Sequence, residues 1–279
     1  ALELGTIGQM YNNGDGGWSS IVPTQNLVDT YEMADGLTKE ESGSYDPNHP
    51  FAGRDPRMAM TIIYPGMDWN GTVVNTLDKT INGKDNANYP PSANNASKTA
   101  LTWRKYLDEQ YANGIWNTNA CPIVIRYAEV LLTYAEAVNE LSGPSADVYD
   151  KLDLIRGRVG MPKVDREKYA SKETLRRLIR RERGVELAGE GVRRADILRW
   201  KDDNGKMVAE TVLNGVLERV VGTVNYAETD PTKRAEIDTN APATDKKIED
   251  RVFKVHNRYN PIPQGAIDNN PNLEQNPGY

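Results

Sequence analysis

Residues 121–201 constrain the fold more than any other part of the chain. This is the only long region in which apolar residues recur at helical spacing and in which start and stop signals flank each segment. Pro122 stands where a first-turn proline is tolerated, and a Ser-Gly-Pro break at 142–144 ends the first helix. A second helix follows this break, and a third begins after Ser171. We therefore predict a helical scaffold over 121–201.

The first predicted helix, over residues 123–141, is apolar around most of its circumference. At about 100° per residue, apolar side chains cover roughly two-thirds of the wheel, which is typical of a helix buried among other helices. The remainder is one narrow polar strip: Arg126, Glu129, Thr133, Glu136 and Glu140. Glu129 and Glu136 lie two turns apart, about 10 Å along the axis, which would suit the two carboxylates of an inverting glycosidase. Structural ion pairs are the favoured interpretation, because Arg126 lies one turn from Glu129.

The third predicted helix carries two carboxylates on its apolar stripe. Glu182 and Glu186 fall among four apolar residues: Leu175, Leu178, Ile179 and Val185. An unpaired buried carboxylate is very costly, so such a group must be paired or hydrogen-bonded. We predict that at least one of the two is buried and paired with one of five arginines: Arg126, Arg156, Arg158, Arg183 or Arg193.

Residues 1–120 have little regular periodicity, because Gly, Asn, Pro and Asp recur every few residues as turn signals. Short elements lie between the turns. We predict a helix from Pro23 or Thr24, and a helical turn capped by Asp55 that runs into a short strand. The segment 101–111 is ambiguous between strand and helix. Loops this long are usually functional, so this part is predicted to face a ligand.

The segment 202–279 is mixed and polar. Within it, RVFKVH (251–256) alternates as a short strand does, and the proline- and asparagine-rich tail after 260 predicts a non-helical ending. The sequence thus divides into a loop-rich part (1–120), a helical scaffold (121–201) and a mixed segment with its tail (202–279).

Composition excludes several classes of function. The formal net charge of −6 argues against a nucleic-acid partner, since phosphate binding requires a concentrated basic surface. The single cysteine excludes an internal disulfide, and the two histidines are too far from it for a zinc site. The sequence contains no stretch of about 18 apolar residues, which is the length that a membrane-spanning helix requires. The 14 Tyr and 5 Trp against only 2 Phe favour a partly wet binding surface.

Calcium binding and nucleophilic catalysis have little or no support in the sequence. The segment YNNGDGGW (11–18) offers Asn12, Asn13 and Asp15 as calcium ligands, but it lacks the loop spacing and the closing glutamate, so no metal is expected. No Ser-His-Asp or Cys-His arrangement is present.

Sugar binding requires a flat apolar platform beside planar hydrogen-bonding side chains. An aromatic residue in a loop rich in Asn, Asp and Gly meets this description. Trp18, Tyr45 and Trp69 fit it best and are the predicted glycan-binding residues; the alternative is that they pack loops onto the helices.

Six segments in order carry a resemblance that spans nearly the whole chain: PTQNLVDTYEMADG (23–36), GRDPRMAMTIIYPG (53–66), PIVIRYAEVLLTYAEAVNE (122–140), LIRGRVGMP (155–162), IRRERGVELAGEGVRRADILRW (179–200) and NPIPQGAIDNNPNLEQNPGY (260–279). With these segments the chain resembles the C-terminal portion of the SusD/RagB family, the nutrient-capturing outer-membrane lipoproteins of glycan-foraging Gram-negative bacteria. The resemblance implies a mainly α fold, in which tetratricopeptide-like helix pairs pack with a loop-rich part carrying short β elements.

The resemblance also implies a function. A family member is a non-catalytic, surface-exposed lipoprotein that captures a glycan, without a cofactor, for a TonB-dependent outer-membrane transporter of the SusC type. The N-terminal half and its lipid-bearing cysteine would then lie upstream, and Cys121 would not be the anchor. Two alternatives stay open: a peptide-capturing member of the same family, and a glycan hydrolase that uses Glu129 and Glu136.

Overall fold

The computed structural model describes residues 4–91 and 94–279. The chain forms two compact units, one comprising Ala1–Gly191 and Glu218–Ile248 and the other comprising Val192–Leu217 and Glu249–Tyr279. The loop-rich part and most of the helical scaffold belong to the same unit, so the compositional boundary at 120 separates two kinds of chain within one folded body.

Helices and short strands alternate along the described chain. The α-helices are α1 (Leu4–Gly8), α2 (Gln25–Thr30), α3 (Pro56–Thr61), α4 (Tyr127–Ser142), α5 (Ala146–Arg158), α6 (Lys172–Glu186), α7 (Arg193–Arg199), α8 (Val208–Val212), α9 (Ala243–Lys246) and α10 (Gln264–Asn269). The strands are β1 (Ile62–Ile63), β2 (Asp68–Trp69), β3 (Thr72–Val73), β4 (Thr80–Ile81), β5 (Lys84–Asp85), β6 (Thr102–Trp103), β7 (Gly215–Glu218), β8 (Gly222–Val224), β9 (Ala235–Ile237) and β10 (Lys247–Arg251). The prediction of helices with short β elements is confirmed at this level.

The loop-rich part folds as its turn signals predict. Asp55 caps α3 by accepting a hydrogen bond from Arg57 N at 2.9 Å, Pro56 takes the first helical position, and the helix runs directly into β1. Strand β1 pairs with β6 in antiparallel register, so the ambiguous segment 101–111 begins as a strand. Further antiparallel pairs join β2 to β3, β4 to β5 and β8 to β9.

These short elements enclose a core of their own. Its most deeply buried large side chains are Tyr11, Tyr31, Phe51, Ile62 and Leu101. The rings of Phe51 and Tyr64 stack with their centroids 4.6 Å apart. This burial explains how a segment with so little regular secondary structure keeps a defined shape.

Helix α4 begins at Tyr127, four residues after the start of the predicted range 123–141. Residues 121–126 have no regular secondary structure, and Arg126 holds the N-cap position at φ −143°, ψ 163°. Its guanidinium reaches across to Glu186 and Glu190, which draws the chain out of helical geometry at this point. The prediction that Pro122 opens the helix is therefore wrong, and a long-range ion pair is the reason.

Helix α4 is also buried on one side only, which corrects the prediction of a helix surrounded by others. Leu131, Leu132 and Ala135 are buried, where α4 packs on α5 and α6. An opposite row of large apolar side chains is exposed: Tyr127, Val130, Tyr134 and Leu141, preceded by Val124 and Ile125. Helix periodicity identifies the apolar arc, but it does not say how much of that arc the rest of the chain covers.

Helix α6 follows the sequence closely. It begins at Lys172, directly after Ser171, whose side chain accepts from Thr174 N while Thr174 Oγ1 accepts from Ser171 N. This reciprocal capping gives hydrogen-bond acceptors to two backbone N–H groups at the start of the helix. Leu175, Leu178 and Ile179 then face inward, as the predicted stripe requires.

Glu186 lies at the centre of a buried ion-pair network. It is 3% exposed and contacts Arg126 at 2.7 Å, Arg158 at 2.8 Å and Arg57 at 3.0 Å. Arg126 also binds Glu190 at 2.7 Å. Arg57 belongs to the loop-rich part, so Glu186 links the loops to the helices.

Glu182 forms a second centre in the same network. It is 2% exposed, binds Arg156 at 3.1 Å and also pairs with Arg57. Arg156 in turn reaches Glu32 in the loop-rich part at 2.8 Å. The prediction that at least one of Glu182 and Glu186 is buried and ion-paired is confirmed for both.

The second unit is small and contains Arg193, one of the five arginines predicted as partners of Glu182 and Glu186. Arg193 stands with its guanidinium carbon 5.7 Å from the centre of the Trp200 ring, so its contact is with an aromatic face instead of the predicted glutamates. Of the segment RVFKVH, only Arg251 lies in a strand, and Val255–Arg258 form a 3₁₀ turn, so the predicted strand is wrong. The tail contains the short helix α10, which corrects the prediction of a wholly non-helical ending.

Candidate functional site

Two tryptophan side chains lie together at the surface of the loop-rich part. Trp18 is 48% exposed and Trp116 is 52% exposed, and their ring centroids are 5.6 Å apart with 71° between the ring planes. Edge-to-face packing of this kind is a favourable arrangement of aromatic rings. One indole therefore braces the other while both keep much of their surface open.

The space around this tryptophan pair leaves little room for a side chain at Gly8 and at Gly17. A Cβ on Gly8 would lie 2.9 Å from the ring of Trp116, and a Cβ on Gly17 would lie 2.3 Å from the carbonyl oxygen of Tyr11. Ser19, next to Trp18, adopts a left-handed φ of 45°, which non-glycine residues seldom take. Such strain persists only where surrounding contacts enforce it.

Asp15 connects the loops that carry the two rings. Its carboxylate accepts from Asn12 Nδ2 at 2.7 Å, from Trp69 Nε1 at 2.8 Å and from Asn70 Nδ2 at 3.2 Å. Its backbone carbonyl accepts from Asn113 N at 2.7 Å, three residues before Trp116. Asp15 thus bridges the loop of Trp18, the turn between β2 and β3, and the loop of Trp116.

The carboxylate of Asp15 is buried without a cation beside it among these contacts. It is 5% exposed, and burial raises its pKa above the ordinary value, while the hydrogen bonds from Trp69, Asn70 and Asn12 oppose that rise. Glu109 nearby adds a smaller contribution in the raising direction. Neutral N–H donors hold this charge, in contrast to the arginines that surround Glu186.

Two of the three predicted glycan-binding residues differ in setting from Trp18. Trp69 is 3% exposed, and its indole N–H is spent on Asp15, so its ring does not face solvent as the prediction requires. Tyr45 is half-buried, with Lys39 and Arg54 lying 5.9 Å and 5.7 Å from its ring centre. Of the three, only Trp18 presents an open aromatic surface in this structure.

Sequence reasoning missed Trp116 as the partner of Trp18. The two residues are almost a hundred positions apart, and nothing in the local pattern pairs them. One signal could have suggested Trp116, since it follows the turn residues Asn113 and Gly114 as Trp18 follows Gly16 and Gly17.

The segment 11–18 does not present its oxygens as calcium ligands would be presented. The Oδ1 of Asn12 accepts from Asp15 N at 2.9 Å, and both oxygens of Asp15 accept from N–H groups. Within the described ranges, no group of three or more His, Cys, Asp and Glu side chains is arranged to hold a metal ion.

Glu129 and Glu136 lie away from the tryptophan pair, on α4. Glu129 is 3.8 Å from Arg183, a residue of α6 that is itself buried. This contact agrees with a structural role for Glu129 and offers nothing specific to a pair of hydrolytic carboxylates.

Comparison with known proteins identifies the family. The SusD family model matches residues 4–279. A SusD-like protein, P25, from Formosa agariphila is 30% identical over 210 residues, which are 71% of this chain and 37% of that protein.

Solved structures agree with this match. A SusD-like carbohydrate-binding protein from Bacteroides fragilis has a TM-score of 0.75 at 32% identity, and the match covers 97% of this chain and 51% of that one. A second SusD-like protein from the same species, with a TM-score of 0.73 at 24% identity, shares the fold; the match covers 100% of this chain and 52% of that one. The chain therefore spans about half the length of these structures. Because the family model extends over nearly all of its residues, the chain belongs to the SusD family.

Proposed function

We propose that this protein is a non-catalytic glycan receptor and that Trp18 and Trp116 form its sugar-binding platform. The exposed edge-to-face tryptophan pair is the observation that carries the proposal. One face of a pyranose ring is lined by C–H groups, and an exposed indole stacks against such a face while excluding water. The carbohydrate-binding relative from Bacteroides fragilis supports the same ligand class.

The surroundings of the pair suit a polar, uncharged ligand. The side chain of Asn13 donates to Ala87 O at 2.7 Å, and Asn88 Oδ1 accepts from Gly14 N at 2.9 Å, so amide side chains tie a further loop to the one that carries Trp18. Planar amides are the usual hydrogen-bonding partners of sugar hydroxyl groups. The carboxylate of Asp15, which ties these loops together, is buried and already accepts three hydrogen bonds.

Affinity electrophoresis against a panel of neutral and acidic polysaccharides would test this proposal. The full chain is run through native gels that contain each polysaccharide, and retardation reports binding. We expect retardation by at least one glycan, and we expect Trp18→Ala and Trp116→Ala each to abolish most of it.

Tyr134→Ala provides the matched control, because Tyr134 is also an exposed aromatic residue (44%) but lies on α4. This variant should retain full retardation. Equal loss in all three variants would show that the tryptophan pair has no special role. Retardation by no glycan, together with saturable binding of a peptide pool, would favour the peptide-capturing alternative.

We also propose that the protein acts at the cell surface, beside a SusC-type TonB-dependent transporter and attached to the outer membrane by a lipid. This part rests on membership of the family. None of the helices within residues 4–91 and 94–279 combines the length and apolar character needed to cross a membrane. Co-purification of a transporter with the tagged protein from outer membranes would support the proposal, and recovery of the protein only from the soluble fraction would refute it.

The tetratricopeptide-like pairing of helices belongs to this proposal as well. Helices α4 and α5 form an adjacent pair, yet α4 exposes Tyr127 (70%), Val130 (53%) and Leu141 (86%) on its other side. Helical repeats bury such faces by stacking one pair on the next. We propose that a further helix pair of a longer chain covers this row. Hydrogen exchange in the longer protein should then show α4 more strongly protected than in residues 1–279 alone.

A further inference from the structure

Asp15 is the point where the two tryptophan loops are joined. The loop 12–18 is tied to it through Asn12, and the hairpin turn at 69–70 is tied to it through Trp69 and Asn70. The backbone of Asn113 donates to its carbonyl oxygen, which fixes the start of the 3₁₀ turn Ile115–Asn117 that contains Trp116. The loop 12–18 ends in Trp18, so the position of Trp18 relative to Trp116 depends on these contacts.

We propose that Asp15 is the positioning residue of the tryptophan pair and that its ionised carboxylate is the form that holds Trp18 against Trp116. The proposal rests on the proposed function for its biological meaning, since it makes glycan capture depend on the charge of a buried side chain. It concerns a residue that lies beneath the platform and does not itself face the ligand, being 5% exposed.

The hydrogen-bond chemistry explains why the charge matters. Trp69 Nε1 and the Nδ2 groups of Asn12 and Asn70 all donate, so the site requires an acceptor on both oxygens. An ionised carboxylate accepts at both. A protonated carboxyl carries a hydrogen on one oxygen, and an asparagine carries an NH₂ group there, so each would place a donor against a donor.

The charged groups around Asp15 do not supply a compensating cation. Glu109 is the carboxylate whose charge acts on it, and it accepts from Asn70 N at 3.0 Å on the other side of the same turn. Tyr11 packs beneath the loop, and its own pKa is raised by burial, so it stays neutral over the relevant range. Asp15 therefore takes up a proton at a pH above the ordinary aspartate value of 3.8.

The pair itself provides a readout that requires no ligand. Two indoles at 5.6 Å couple their electronic transitions, which produces an exciton couplet in the far-ultraviolet circular dichroism. We would record this couplet for the full wild-type chain, for Trp116→Phe, for Asp15→Asn and for Asp165→Asn. Trp116→Phe should abolish the couplet and thereby assign it to this pair among the five tryptophans.

Asp15→Asn should lose most of the couplet at neutral pH, while its thermal unfolding remains cooperative. Asp165 is the matched control, because its carboxylate also accepts from backbone N–H groups, those of Glu167 and Lys168 at 3.0 Å, but in the loop between α5 and α6. Asp165→Asn should keep the couplet. Asn70→Gly removes one donor to this carboxylate at a residue whose positive φ of 48° glycine adopts readily, and it should weaken the couplet, which keeps the proposal testable if Asp15→Asn fails to fold.

An unchanged couplet in folded Asp15→Asn, or in folded Asn70→Gly where Asp15→Asn does not fold, would overturn the proposal. Glycan retardation separates this result from the fate of the proposed function. If a glycan from the panel binds the wild-type protein, its affinity should fall roughly tenfold in Asp15→Asn, the usual scale for losing a hydrogen bond to a charged group. A couplet that behaves as expected in a protein that binds no glycan would refute the function alone.

Discussion

Asp15 and Glu186 show two different ways of burying a carboxylate in the same chain. Asp15 is 5% exposed and Glu186 is 3% exposed, so burial raises the pKa of both. For Glu186 the arginines Arg126 and Arg57 outweigh burial, and the net pKa is lowered. For Asp15 the hydrogen bonds from neutral donors do not outweigh the effect of burial, and the net pKa is raised.

We propose that the difference separates a structural from a functional use of charge. The carboxylate of Glu186 joins the loop-rich part to the helices and is locked in its ionised form by cations. The carboxylate of Asp15 holds loops beneath the exposed tryptophan pair through neutral N–H donors, and burial raises its pKa. Groups whose ionisation is poised by burial tend to cluster at functional sites, which agrees with placing the binding site at the loops.

Removing the central cation should produce the largest effect. Arg57→Ala would remove the buried cation that Asp55, Glu182 and Glu186 share, and we expect a loss of about 3–5 kcal/mol in the free energy of unfolding. Denaturant titration at neutral pH measures this loss. Arg166→Ala, at an exposed pair with Asp150, should cost less than about 1 kcal/mol and serves as the control. Equal losses in the two variants would contradict the structural role of the network.

Neutralising Glu186 should have the next largest effect and should change the pH dependence of stability. Its folded pKa lies below the ordinary 4.5, so its contribution is complete above about pH 4.5 and is lost as the pH falls through the folded value. Glu186→Gln should therefore cost about 1.5–3 kcal/mol at neutral pH and flatten the acid limb of the stability profile.

Asp15→Asn should change the same profile in the opposite sense. The folded pKa of Asp15 is raised above 3.8, so the folded chain binds more protons than the unfolded chain, and acidification through this interval adds stability. Asp15→Asn removes the titrating carboxyl group and should therefore remove this gain in stability. If Glu186→Gln and Asp15→Asn changed the pH dependence of stability in the same direction, the two carboxylates would not differ in their role.

Removing either exposed indole should affect binding far more than folding. Trp18→Ala and Trp116→Ala should each weaken glycan affinity by about tenfold, because each loses an aromatic stack worth roughly 0.5–1.5 kcal/mol together with the apolar area that the stack buries. Isothermal titration measures the affinity, and thermal unfolding provides the control. A large loss of stability without a change in affinity would assign these rings to packing.

The smallest effect is expected from a single methyl group. Gly8→Ala would place a Cβ 2.9 Å from the Trp116 ring, so the ring must shift while the rest of the loop keeps its contacts. We expect a partial loss of the tryptophan couplet and a few-fold weaker affinity, measured as above. Gly157→Ala, where the added Cβ meets no atom within 4 Å, is the matched control and should change neither.

Much of the helical part follows from local sequence. The Ser171 cap, the stripe of Leu175, Leu178 and Ile179, and the need of Glu182 for a buried partner are all set by residues close together in the chain. The same holds for the Asp55-capped turn that runs into β1. Spacing and capping act over a few residues, which is why they can be read without a structure.

The sequence by itself determined the helical character of residues 121–201, the starts of α3 and α6, the loop-rich character of residues 1–120 and the burial of paired carboxylates on α6. Only the tertiary structure decided that α4 begins at Tyr127, that Arg57 holds Glu186, and that Trp116 and not Trp69 stands beside Trp18. The physical reason is range. Periodicity and capping depend on near neighbours, whereas these contacts join residues that lie far apart in the chain and meet only when the loops close onto the helices.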